Sequence, residues 1–286
     1  MRRPVVLISR RVAFEAAHSY WLADLSAAEN RRLFGSAASP SGHGHNYVCE
    51  AAVAGPVDPR SGLVANIAEL NRRLRQVTDE LDHRFINREH PYFQHRAPTC
   101  ENLAAYVWQQ LWPGVGGREL RRVRLAESRR LRAVRERTGQ DEMTTLTRSY
   151  GFSAAHRLVS PHLSEAENRE VFGKCFSSHG HGHDYVLEVT VGGEVDERTG
   201  MLIDLEELDQ AVQEEVIGRY DGCHLNDDTE DFARLNPSSE NLVHVVWERL
   251  RPRLGARLRK VGVHETERNY FEYVGDGDGA IAGPEP

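Results

Sequence analysis

Two stretches 138 positions apart carry the same arrangement of reactive residues: FGSAASPSGHGHNY at 34–47 and FGKCFSSHGHGHDY at 172–185. The outer residues of His-Gly-His lie two apart, so on a strand both imidazoles point to one face. A third histidine closes FEAAH (14–18) and FSAAH (152–156). His18, His43 and His45 therefore form one candidate trio, and His156, His181 and His183 a second. Three imidazoles with a fourth position open suit a catalytic zinc, one per trio; structural zinc sites fill all four positions. A single histidine is more often a surface or core residue, and it is the recurrence of all three that favours ligation. His179 extends the second stretch to HGHGH, but Ser41 stands opposite it in the first, so His181 and His183 are the ligands expected. The one nucleophile in either stretch, Cys175, has Ala37 as its counterpart.

The elements that position these residues repeat as well. An offset of 138 pairs LSAAENRRLFG (25–35) with LSEAENREVFG (163–173), and SGLVANIAEL (61–70) with TGMLIDLEEL (199–208). After a one-residue slip APTCENLAAYVW (97–108) matches NPSSENLVHVVW (236–247), and the offset returns to 138 at LAES (125–128) and VHET (263–266). This is a tandem duplication, with expected domains 1–138 and 143–276 joined through TGQDE. Five extended residues reach only about 18 Å. The last residues, 277–286, are expected to form a flexible tail.

Within each copy the order reads strand, strand, helix, helix, strand, strand. VVLISRRVAF and NYVCEAAVAG are strand-like, and VDPRSG is a turn cluster. Ile67, Leu70, Leu74, Val77 and Leu81 recur at helical spacing. ENLAAYVWQQLW gives the second helix, and ELRRVRLAES with RLRAVRER the closing strands. Ser26 with Glu29, and Ser164 with Glu167, announce a short capped helix in each copy. The expected class is α+β, two antiparallel four-stranded sheets each with two helices on one face. Open sheet edges of this kind pair with further copies, so a homo-oligomer is expected.

The chain has 286 residues, 40% hydrophobic and 28% charged, the balance of a folded globular protein. Ser9, Arg10 and Arg11 interrupt the apolar start, which does not read as a signal peptide, and no apolar run reaches the roughly 18 residues of a membrane span. Four cysteines fit reduced thiols and a cytoplasmic location. The net charge of -7 hides a division: residues 1–140 hold 22 arginines and no lysine against 14 acidic residues, a net +8, and the remainder is -15. Copies so unlike in charge are suited to touching each other. The arginines of RELRRVRLAESRRLRAVRER alternate with Val and Leu and have no aromatic platform, which argues against nucleic acid as a partner; some of that charge can draw in an anionic substrate.

FSAAHRL, LSEAENREVFGKC followed by five residues and HGHDY, DERTGMLIDLEEL, PSSEN and HETERNY resemble the 6-pyruvoyltetrahydropterin synthases and the related 6-carboxytetrahydropterin synthases over nearly the whole of both copies. The cysteine-to-histidine spacing is like the pyruvoyl enzymes, whereas counting to His179 gives the carboxy spacing, so the product stays open. The resemblance implies a tunnelling fold, in which copies join their sheets into a barrel, and 7,8-dihydroneopterin triphosphate as substrate. It also implies a histidine-bound zinc, a cysteine that moves protons, an Asp-His pair that supports those transfers, a glutamate that anchors the pterin, and elimination of triphosphate.

Transferred position by position, these roles divide unequally. The cysteine is Cys175 in the second copy and Ala37 in the first. The Asp-His pair is Asp82 and His83 in the first copy; in the second Asp221 remains, Gly222 replaces the histidine and His224 lies two residues on. The anchoring glutamate matches Glu101 after Thr99, and Glu240 after Ser238. Glu127 and Glu265, on a later strand, are further candidates to face the pterin. Neither copy holds a full set but the pair does, so the expectation is a composite site: Cys175 and the second trio meeting Asp82 and His83 of a first copy. The reciprocal site, with Ala37 opposite Asp221 and Gly222, is then inactive or only binds. The fallback is that like copies pack together and His224 replaces the missing histidine. The competing class of function is a pterin-binding or structural zinc protein that has lost its catalysis.

Overall fold

The structure is a computed structural model that describes residues 4–275; the expected tail at 277–286 lies outside the described residues. The chain divides into two compact units. One runs to Thr147 and also takes in Gly192–Leu205; the other holds Arg148–Val191 and the chain from Glu206.

In the first unit β1 (Val5–His18) pairs antiparallel with β2 (His43–Pro56), with His18 opposite His43. The two-residue β3 (Gly114–Val115) pairs with β4 (Arg118–Ala126), which lies between β2 and β5 (Leu131–Thr138). Val12, Phe14, Ala16 and His18 are buried while Arg11, Ala13 and Glu15 between them are exposed, the two-residue alternation of a sheet with one covered face. That face is covered by helices. The helices of this unit are α1 (Ala27–Phe34), α2 (Ile67–Thr78), the single turn α3 (Ile86–Glu89) and α4 (Cys100–Leu111). Leu70, Leu74 and Val77 of α2, and Leu103, Val107 and Leu111 of α4, are buried against it; each such side chain contributes about 1.5–3 kcal/mol.

The strands of the second unit are ordered β6 (Asp141–His156), which begins before the bound at Arg148, β7 (His181–Gly193), which ends past Val191, β9 (Leu258–Thr266) and β10 (Asn269–Tyr273), with the short β8 (Cys223–His224) parallel to the end of β6. Its helices are α5 (Glu165–Phe172), α6 (Leu205–Val212), the short α7 (Gly218–Tyr220) and α8 (Leu225–Asp228), and α9 (Ser239–Leu254). Both units are antiparallel sheets carrying helices, as the repeat pattern implies.

Both capping boxes form: Ser26 and Ser164 accept from the N–H groups of Glu29 and Glu167, whose carboxylates accept from the serine N–H groups in return. The amphipathic helix is shorter than its apolar spacing suggests. It ends at Thr78, whose hydroxyl donates back to the Leu74 and Arg75 carbonyls, and Leu81 is buried in the following turn. The one-residue slip between the copies also has a physical seat. In the second copy α6 runs into a π-helical turn, Gln213–Ile217, which absorbs one extra residue without leaving the helix axis.

Candidate active site

His18 ends β1 and His43 starts β2, so antiparallel pairing sets them side by side, and His45 joins them on the same face. Ring centroids are 4.8 Å apart for His18 and His43, 5.0 Å for His18 and His45, and 4.9 Å for His43 and His45. The Nδ1 of His18 lies 2.9 Å from the Pro98 carbonyl, which fixes the proton there and turns Nε2 into the cluster. Nε2 of His18 and of His45 are buried without a hydrogen-bond partner. Burial pushes His18 down to about 3 and His45 to about 4, and it lowers His43 too, so all three rings are neutral ligand donors near neutral pH.

The second trio repeats this arrangement. Nδ1 of His156 lies 2.7 Å from the Pro237 carbonyl, and its Nε2 sits 3.3 Å from Nε2 of His181. His183 completes the group, its Nε2 buried and unpartnered. Buried imidazole nitrogens facing one another without acceptors are a donor set that fits a divalent cation of the zinc type. Both trios predicted from sequence are thus brought together.

Glu127 and Glu265, the further candidates on the later strands, lie beside the histidine trios. Glu127 is buried, 3.5 Å from His45 Nε2 and 3.9 Å from His18 Nε2, and accepts from the Tyr20 hydroxyl at 3.0 Å. Glu265 lies 3.8 Å from His183 Nε2 and accepts from the Ser239 hydroxyl at 2.9 Å. Both carboxylates adjoin the imidazoles.

The cysteine position is shared by the two units in backbone but not in side chain. Tyr20 N–H donates to the Ala37 carbonyl at 3.1 Å, and Leu158 N–H to the Cys175 carbonyl at 3.0 Å. Cys175 is a half-buried free thiol. Ala37 instead packs against an apolar cluster that includes Tyr20, Phe34 and Met201.

The Asp-His loops also superpose in their bonding. Asp82 Oδ1 accepts from Glu15 N–H at 2.9 Å and lies 3.0 Å from His83 Nδ1, while His83 N–H donates back to the Glu15 carbonyl at 2.6 Å. In the second unit Asp221 accepts from Ser153 N–H at 2.8 Å and Gly222 N–H donates back at 2.7 Å. His83 holds φ 55, a left-handed conformation costly for a residue with a Cβ, and Gly222 holds φ 74. His224 does not sit in the His83 place. It follows Cys223 in β8 as Phe85 follows Arg84 beside β1, and its Nδ1 is 3.3 Å from Asp227.

The glutamates at the helix starts differ most. Thr99 caps α4 and donates its hydroxyl to the Gly200 carbonyl at 2.6 Å. Glu101 is buried, accepts from Leu202 N–H at 3.0 Å, and is pushed up to about 7 by burial. Gly200, at φ +74, presses on the Asn102 amide so closely that a Cβ would collide with it. The counterpart Glu240, one residue into α9 behind the Ser238 cap, is exposed.

Compared with known proteins, the family model described as 6-pyruvoyl tetrahydropterin synthase matches twice, at residues 7–138 and 145–276. The chain belongs to the 6-pyruvoyl tetrahydropterin synthase family. A 6-pyruvoyl tetrahydrobiopterin synthase of Drosophila melanogaster is 45% identical over 138 residues, 48% of this chain and 82% of that protein. A putative 6-carboxy-5,6,7,8-tetrahydropterin synthase of Archaeoglobus fulgidus is 34% identical over 124 residues, 43% of this chain and 90% of that protein. The solved 6-pyruvoyl tetrahydropterin synthase of Caenorhabditis elegans is 42% identical, covers 46% of this chain and 96% of its own, and superposes with a TM-score of 0.45. The family is one of lyase-type enzymes, and this member carries the synthase unit twice. Among the described residues no helix is long and apolar enough to cross a membrane.

Proposed function

We propose that the chain converts 7,8-dihydroneopterin triphosphate to a 6-substituted tetrahydropterin with elimination of triphosphate. The 6-pyruvoyl product is favoured by the cysteine-to-histidine spacing and by the names of the more similar relatives. Turnover takes place where Cys175 and the histidines of a second repeat meet Asp82 and His83 of a first repeat in another copy of the chain.

The observation that carries this reading is the bond from Leu202 N–H to Glu101. A glutamate of the first repeat is completed by the Gly200–Leu202 loop of the second, within the first compact unit. The repeat equivalents are Glu240, which is exposed, and Gly62–Leu63–Val64, where Leu63 is 55% exposed. An open anchor and a bare loop on the same chain complete each other only between unlike repeats, and that pairing brings Asp82 and His83 with the loop.

The roles follow from the chemistry of each group. Glu240 accepts the paired N–H donors on the guanidine-like edge of the pterin. His156, His181 and His183 hold the metal, with Glu265 beside His183. When bound, zinc supplies a Lewis acid that acidifies the hydroxylated side chain of the substrate. Cys175 takes up and returns a carbon-bound proton, and His83, oriented by Asp82, carries protons between the side-chain oxygens and solvent. At the reciprocal site Ala37 offers no such group, and its apolar packing favours binding without turnover there.

The test is incubation of the zinc-loaded protein with 7,8-dihydroneopterin triphosphate, following triphosphate release and pterin absorbance. C175A and H83A should each be inactive, and mixing them under conditions of demonstrated subunit exchange should restore turnover. A folded, zinc-loaded chain that binds the pterin without releasing triphosphate would favour the non-catalytic reading instead.

A further inference from the structure

A cavity of about 610 Å³ in the second unit is lined by Arg157, Ser178, His179, His224, Asp227 and Arg234 among others. Ser178 and His179 belong to the loop that follows Cys175. Arg157 directly follows His156, its guanidinium lies 4.4 Å from the ring of Phe176, and Phe176 directly follows Cys175. Asn226 clamps the backbone of Arg157 from both sides, accepting from its N–H at 2.8 Å and donating to its carbonyl at 3.0 Å. The Nε of Arg157 is buried and has no hydrogen-bond partner. The lining also carries one carboxylate, Asp227, 3.3 Å from Nδ1 of His224.

The first unit has a groove in the same place, of about 250 Å³, and its chemistry is different. Ser19 stands for Arg157, Pro40 for Ser178 and Phe85 for His224, with Trp21 in the wall, and its one lining arginine, Arg88, stands where the second unit has Asp227. Duplication has therefore left two versions of one pocket. The version with two arginines and two histidines lies beside the loop that carries Cys175, where the first unit has Ala37.

We infer that this cavity is an oxyanion subsite that receives the phosphate chain of the substrate. The inference rests on the function proposed above for the Cys175 site and adds the residues that would hold its leaving group. Guanidinium forks and imidazole N–H groups are matched to phosphate oxygens. An unpaired buried guanidinium nitrogen is a standing cost that such a ligand removes. Held there, the phosphates are anchored next to the loop that carries the proton-transferring sulfur.

The probe is inorganic tripolyphosphate, titrated calorimetrically into the zinc-loaded full chain, with neopterin, which lacks phosphate, titrated in parallel. R157S and H224F each install the residue that the first unit tolerates at that position. Each should weaken tripolyphosphate about tenfold, the loss of one charge-assisted hydrogen bond, and leave neopterin affinity within twofold. Unchanged tripolyphosphate affinity in both variants overturns the inference. So does loss of that affinity in R11A on the arginine-rich sheet face of the first unit while R157S binds normally. Tripolyphosphate binding that depends on Arg157 in a chain that does not turn over dihydroneopterin triphosphate upholds the subsite and sinks the proposed reaction.

Discussion

Leu202 N–H donates to the carboxylate of Glu101 at 3.0 Å, across 101 positions of sequence. One loop of the second repeat thereby closes over the helix start of the first, and burial of the carboxylate follows from that closure. Its consequence for stability has a definite sign. The ordinary carboxyl value of 4.5 is pushed up to about 7, so between those pH values the folded chain keeps a proton that the unfolded chain has lost. The favourable contribution is full below pH 4.5 and disappears as pH rises through 7, about 3 kcal/mol in all. E101Q keeps an acceptor for Leu202 and carries no charge. It should match the parent near pH 4.5 and melt higher than it at pH 8; a melting difference that does not change with pH would remove the buried charge from the account.

The metal sites give a second expectation. Nε2 of His18, His45 and His183 are each buried with no hydrogen-bond partner, and a cation that binds only the folded chain stabilises it by mass action, about 2.7 kcal/mol at a hundredfold excess over Kd. Metal analysis of the purified protein should find two zinc ions per chain, and chelation should lower the melting temperature by several degrees. H156A should halve the zinc content and abolish turnover, whereas H18A should halve the zinc content and spare it. Equal loss of activity in both variants would contradict the division of labour between the repeats.

His83 allows function to be separated from fold. It holds φ 55, and its side chain is 76% exposed, with Asp82 as its partner. Glycine occupies the same place as Gly222 in the second repeat, at φ 74. H83G relieves the left-handed strain and adds unfolded-state entropy, two effects that nearly cancel. Its stability by urea denaturation should stay within about 1 kcal/mol of the parent, while turnover should fall by about 10²–10⁴-fold, the usual worth of a positioned proton carrier. A drop in turnover matched by a comparable loss of stability would mean His83 serves the loop and not the reaction.

These relationships were legible in the sequence to different degrees, and for physical reasons. The histidine trios could be read because His-Gly-His on a strand fixes one face and the repeat supplied a second instance. The capping boxes depend on residues three apart, Ser26 with Glu29 and Ser164 with Glu167, so local spacing contained them. Tyr20 could not be found this way, since its repeat counterpart is Leu158. The turn of Glu127 toward His45 needs the register that sets Val48 opposite Ala126, which no local pattern encodes. Aligning Asp221 with Asp82 and Gly222 with His83 already sets His224 opposite Phe85; that its ring lies beside Asp227 and not in the place of His83 depends on the pairing of β8 with β6, which is visible only in the folded loop. The cover over Glu101 is a contact between distant segments, visible only once the chain is folded.

The paired losses lead to the most demanding prediction. If Ala37 and Gly222 are what silence the reciprocal site, restoring both should revive it. Gly222 has open space around the position of a Cβ, and His83 shows that a histidine is accepted at a positive φ in the matching loop. Ala37 is half-buried in a backbone position that coincides with that of Cys175, so a thiol there needs only one added sulfur, at a packing cost of about 1–3 kcal/mol. In a C175A background, which is expected to be inactive, A37C combined with G222H should return measurable triphosphate release, and neither change alone should do so. Recovery with A37C alone would mean the second repeat supplies its proton carrier from elsewhere, with His224 the first residue to replace. No recovery from the combined variant, provided it folds and binds two zinc ions, would show that the first repeat has lost more than its sulfur and the histidine opposite.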